Sequence, residues 1–139
     1  MSGHIDPERA QFEAFKALPR DTPINMLNLV RVRDQAAYPD GRQATGHEAY
    51  AAYGRGSQPI LEKVGGSILW RGSFESTLIG PEDERWDYAF IARYPTAGAF
   101  LAMVTDPDYQ QAVKHRQAAV LDSRLIRMGE IAGGAGFAG

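Results

Sequence analysis

The spacing of apolar residues changes several times along the chain, and each change predicts an element. Phe12, Phe15 and Leu18 recur at helical intervals until Pro19, and Pro7 follows Asp6 where a first helical residue belongs, so a leading helix is expected over about 6–18. Residues 24–32 are β-rich and too few for a helix, with Met26, Asn28 and Val30 on one side and Leu27 and Leu29 on the other. After a loop over 33–45 carrying Pro39, Asp40 and Gly41, the residues Tyr50, Tyr53, Ile60, Leu61 and Val64 follow a helical period over 46–64. Gly54, Gly56 and Pro59 predict that this helix is kinked or interrupted. Gly65 and Gly66 stop it, and a strand broken by Gly72 is expected over 67–79.

After a turn at 80–85, residues 86–94 read as the clearest strand, with Trp86, Tyr88, Phe90 and Tyr94 on one face and Asp87, Ile91 and Arg93 on the other. Pro95 ends it. Thr96 caps a short helix through Val104, and Asp106-Pro107 opens another that carries Tyr109, Val113 and Val120 on one side. Residues 123–128 are the last strand, and 129–139 are so glycine-rich that a flexible tail is expected.

Leaving the leading helix aside, the order is strand, helix, strand, strand, helix, strand, the split βαβ arrangement of an α+β fold. Its form is a four-stranded antiparallel sheet with the helices on one face, in one domain over 1–139 with its core at about 24–128. The first strand is apolar on both sides. A two-layer monomer would then expose a sizeable apolar patch, so a homodimer paired face to face through the sheets is expected.

Composition narrows the chemistry. Fifteen basic and 17 acidic residues leave a formal charge of -2, which provides no electrostatic footprint for nucleic acid or an anionic membrane. No residue is cysteine, so disulfides, thiolate nucleophiles and Cys-ligated metals are excluded. The opening residues hold no apolar run and no window approaches a membrane span, so a cytoplasmic protein is expected. His4, His47 and His115 show no metal-binding spacing, and the glycines form no phosphate-binding motif, so neither metal nor cofactor is expected.

Several short motifs fall in a familiar order: Ile24-Asn25-Met26-Leu27-Asn28-Leu29, Gly65-Gly66, Ile79-Gly80, Trp86-Asp87, Tyr94-Pro95-Thr96, Phe100-Leu101, Asp106-Pro107-Asp108-Tyr109 and Arg116. From about residue 24 to residue 128 the chain resembles the domain of unknown function 1330 family. The resemblance implies a ferredoxin-like, dimeric α+β barrel, in the company of antibiotic-biosynthesis monooxygenase-like and haem-degrading proteins. It implies no particular activity, because one scaffold carries many chemistries.

Among candidate site residues, Asn28 shares a strand face with Met26 and Val30, where a buried amide either orients a ligand or bonds to the fold. Arg116 lies at helical spacing from Tyr109, Val113 and Val120, facing a cleft or closing an ion pair for which Asp87 is the evident partner. Trp86, Trp70, Tyr50 and Tyr53 are pocket walls or core. His115 and His47 are each a candidate general base or a solvated surface residue.

The expected ligand-binding set is therefore Asn28, Tyr53, Trp86, Arg116, Asp87 and His115, around a pocket between sheet and helices that takes a small hydrophobic or acidic ligand. The leading expectation is a small-molecule enzyme or binding protein; if it is an enzyme, the relatives suggest cofactor-free oxidation or isomerisation of a hydrophobic aromatic or keto compound. The alternatives are a non-catalytic dimeric binding module, favoured by the lack of a paired acid and base, and haem degradation.

Overall fold

The computed structural model describes residues 3–134 together with 136 and 137. Along the chain run α1 (Arg9–Ala17), β1 (Ile24–Val32), α2 (Gly46–Lys63), β2 (Ser67–Ser73), β3 (Tyr88–Tyr94), α3 (Ala97–Val104), α4 (Pro107–Ala119) and β4 (Val120–Met128). The strands form one antiparallel sheet in the order β2-β3-β1-β4, the ferredoxin-like α+β arrangement. The register places Asn28 of β1 between Phe90 of β3 and Leu125 of β4.

Period-two alternation sorts the side chains of β1. Ile24, Met26, Val30 and Val32 are buried on the inner face, whereas Leu27 and Leu29 reach the outer face and stay partly exposed. The inner core gathers Ile24, Met26, Ile60, Leu61, Tyr94, Phe100 and Met103. Each large apolar side chain so removed from water contributes about 1.5–3 kcal/mol. A smaller cluster of Val30, Val32 and Val120 lies toward the other end of β1.

The elements differ from the sequence expectation in several places, each for a physical reason. The leading helix begins at Arg9 after Glu8, because residues 4–6 make hydrogen bonds to α4 and β4 in place of a first helical turn. The α2 helix runs uninterrupted through Gly54, Gly56 and Pro59. A capping box between Thr45 and Glu48 starts it, and a Cβ at Gly56 would stand 3.0 Å from the Ala112 Cβ, so that glycine lets α2 approach α4 closely. The β2 strand stops at Ser73 because its partner β3 begins at Tyr88, and the Phe74 N–H to Asp87 carbonyl bond closes the ladder. Conversely β4 starts early, at Val120, directly out of α4.

The caps at Thr96 and Asp106 fall where expected, with the Thr96 side chain accepting from the Ala99 N–H and Asp106 from the Asp108 N–H. Of the expected flexible tail, residues 135, 138 and 139 lie outside the described residues, and the described part carries no helix or strand. No helix among the described residues is long and apolar enough to cross a membrane.

Candidate functional site

Between the inner face of the sheet and the helices α2 and α4 lies a cavity of about 1620 Å³. Helical spacing supplies its ceiling. Tyr50, Tyr53 and Ser57 follow one face of α2, and Tyr109, Val113 and Arg116 follow one face of α4. The floor comes from Asn28 of β1, Tyr88 and Phe90 of β3, Ser123 of β4 and Arg71 of β2. Tyr38 is the one tyrosine of six that does not line it.

The aromatic rings are in register with one another. Tyr50 stacks on Tyr88 with centroids 5.3 Å apart and planes 12° from parallel, and it also packs against Tyr53 at 5.5 Å. Tyr53 meets Tyr109 edge to face, and their hydroxyls are 2.9 Å apart. Farther in, the Tyr94 hydroxyl donates to the Met103 sulfur at 3.4 Å. Burial, with the neighbouring Tyr53 second, pushes the hydroxyls of Tyr50, Tyr94 and Tyr109 well above the ordinary tyrosine value, so they are neutral donors at physiological pH. Arg116 and Arg71 partly offset this at Tyr50.

Like Arg71, Arg116 is one of the cations lining the cavity. It donates to the Ile5 carbonyl and, through Nη2, to Ser123 Oγ at 3.0 Å, and both acceptors are neutral. Among the described residues no carboxylate forms an ion pair with Arg116 or with Arg71. Asn28 Nδ2 donates to the Met26 carbonyl at 3.0 Å, which fixes the amide in the cavity wall. At the rim, His47 Nδ1 and the Tyr88 hydroxyl are 2.5 Å apart, coupling an exposed imidazole to a cavity phenol. Burial, then the charge of Asp87, raises the Tyr88 hydroxyl.

Three of the six residues expected at the site, Asn28, Tyr53 and Arg116, line this cavity, and three lie elsewhere. Asp87 is not the partner of Arg116. Its carboxylate accepts from the Val32 N–H at 2.8 Å and pairs with Arg85 at 2.8 Å, because β3 has not yet begun at residue 87 and the side chain reaches back to β1. Trp86 likewise precedes β3 instead of sharing its inner face, and the Arg124 guanidinium lies 5.2 Å from its ring. His115 Nδ1 is 2.6 Å from the Tyr38 hydroxyl, one helical step around from Arg116 and outside the cavity. Trp70, also considered as a pocket wall, stands on the outer face of β2 at 55% exposure.

Tyr88, Tyr109, Ser123 and Arg71 were not singled out from sequence as site residues. The shared strand face of Tyr88 and Phe90 and the i, i+7 spacing of Tyr109 and Arg116 were the available signals. Nothing in the spacing of Arg71 or Ser123 marks either of them. Among the described residues no group of three His, Asp or Glu side chains is gathered to hold a metal ion.

The sheet order with helices over one face defines a ferredoxin-like α+β protein. Residues 41–128 match the domain of unknown function family DUF1330, and the chain belongs to that family. It is similar to the methylated RPA0582 protein at 60% identity and a TM-score of 0.93, covering 96% of this chain and 99% of that one. The RPA0582 protein of unknown function from Rhodopseudomonas palustris is also similar, with 57% identity, a TM-score of 0.91, and 95% and 100% coverage. SnoaB, a cofactor-independent oxygenase from Streptomyces nogalater, shares the fold at 15% identity and a TM-score of 0.53, over 81% of this chain and 96% of its own. No curated protein matches the chain.

Proposed function

We propose that the cavity binds a small, largely apolar aromatic or keto compound whose acidic group is held by Arg116. One observation carries this reading: a guanidinium lines an aromatic cavity with, among the described residues, only neutral acceptors on it. A cation left without a carboxylate in such surroundings favours an anionic oxygen from a ligand, and a forked guanidinium–carboxylate bond is the strongest form of that contact. Tyr50, Tyr53 and Phe90 provide the apolar walls against which a ring would lie. Asn28 offers an amide in the middle of that floor.

For chemistry, the reading is isomerisation, or cofactor-free oxidation with molecular oxygen as the oxidant; SnoaB, which shares the fold, is a cofactor-independent oxygenase. Tyr88 with His47 is the pair placed to move a proton. With His47 protonated, the phenol gives its proton to a developing ligand oxyanion and takes one from Nδ1, and the exposed imidazole recharges from solvent.

A second copy of the chain covers the outer sheet face in this reading. Leu27, Leu29 and Ile91 lie there with Trp70, Ile126 and Met128, the last three 55%, 42% and 49% exposed, an apolar expanse of the kind monomers seldom leave in water.

The test is a thermal-shift screen of aromatic acids, keto acids and quinones, since a ligand that binds only the folded state raises Tm. The reading requires acidic aromatic hits that are weakened by both Arg116→Gln and Asn28→Ala. Hits unchanged in both folded variants would remove the site.

A further inference from the structure

The segment before α1 is fastened across the β4 side of the cavity by contacts that do not resemble those of a loose terminus. The His4 N–H donates to Asp122 Oδ1 at 2.9 Å, Ser123 Oγ donates to the His4 carbonyl at 2.7 Å, and Gln117 Nε2 donates to Asp6 Oδ1 at 3.2 Å. Ile5 packs with the Val30, Val32 and Val120 cluster, and its carbonyl accepts from Arg116 Nη1. Farther along, Phe15 packs against Phe100 with ring centroids 5.2 Å apart, and Arg127 Nη2 reaches the Pro19 carbonyl at 2.6 Å. Gly3 lies so close to β4 that a Cβ there would fall 1.8 Å from the Leu121 carbonyl oxygen.

We propose that residues 3–8 are a strap whose Ile5 carbonyl occupies the anion position on Arg116, so that an aromatic anion entering the cavity displaces it and loosens the segment. The inference rests on the cavity reading above and adds its regulation. A guanidinium bonds a carboxylate or sulfonate more strongly than a neutral carbonyl, and the forked geometry uses the donors that Ile5 and Ser123 now hold. Ligand and strap therefore compete for one side chain. The two equilibria are linked: whatever loosens the strap tightens anion binding, and anion binding loosens the strap by the same factor.

Gly3→Val tests this in the full chain without altering a cavity residue, because its side chain cannot fit against the Leu121 carbonyl. The probe is 8-anilinonaphthalene-1-sulfonate, compared with N-phenyl-1-naphthylamine, the same ring system without the anion. The strap bond is neutral in its acceptor, so its loss is expected to tighten sulfonate binding about threefold to tenfold. The uncharged probe should gain less, and sulfonate binding to the parent should raise deuterium uptake in residues 3–8. Equal gains for both probes, or uptake in 3–8 that is unchanged by bound sulfonate, would overturn the competition while leaving the cavity in place. If Gly3→Val shows no increased uptake, Asp122→Ala, which removes the acceptor of the His4 N–H, replaces it as the loosening variant, with the same outcomes required. Sulfonate binding that survives intact in Arg116→Gln would overturn the cavity reading, and this inference with it.

Discussion

The hydroxyls of Tyr53 and Tyr109 stand 2.9 Å apart, tying α2 to α4 across the ceiling of the cavity. Each phenol is thereby satisfied by the other, so a wide aromatic-lined space coexists with a stable helix pair. Tyr53→Phe and Tyr109→Phe should each lower unfolding free energy by about 0.5–1.5 kcal/mol. The double variant should lose less than the sum of the two, because both remove the same bond. Urea titrations of the four proteins check this, and strictly additive losses would show that the bond contributes nothing.

Arg116→Gln should weaken aromatic carboxylates by about tenfold to a hundredfold, the range of a hydrogen bond to a charged group, while neutral analogues change little. Calorimetric titration of a matched acid and amide makes the comparison. Equal losses for both would assign Arg116 to holding the strap and Ser123 only.

Stability should fall as pH rises above about 10, where unfolded tyrosines ionise. Burial holds the folded hydroxyls of Tyr50, Tyr94 and Tyr109 neutral beyond that point, so the unfolded state binds fewer protons there and the slope is negative. Each such tyrosine contributes up to about 1.4 kcal/mol per pH unit. Denaturant midpoints between pH 9 and pH 11 should decline steeply in the parent and less in Tyr50→Phe; a flat profile would contradict burial of these hydroxyls.

Ile126 is 42% exposed on the outer face of β4, so Ile126→Arg should leave the fold of one chain intact. If a second copy covers that face, the substitution buries two unpaired charges and splits the dimer. Light scattering across micromolar concentrations should read a dimer for the parent and a monomer for the variant. A parent that scatters as a monomer ends the proposal.

Much of the local structure was legible before folding is considered. The β1 strand has the bounds expected from its β-rich composition and short length, 24–32, because residues that favour extended backbone act locally. Thr96 and Asp106 cap where they stand because a side-chain oxygen three or two residues from an orphan N–H acts locally. Trp86 and Asp87 were misplaced for the opposite reason. A strand ends where its neighbour stops pairing, and nothing within residues 86–94 states that β2 leaves at Ser73.

The order of elements and the family follow from periodicity and short motifs, which act over a few residues. The identity of each polar group's partner does not. Arg116 bonds to Ile5, 111 residues away, and Ser123 to His4, 119 residues away, in place of the expected pairing with Asp87. Those contacts depend on where α1 and the residues before it come to rest against β4. That position is decided by packing and by the satisfaction of buried polar groups, interactions that carry no period along the chain.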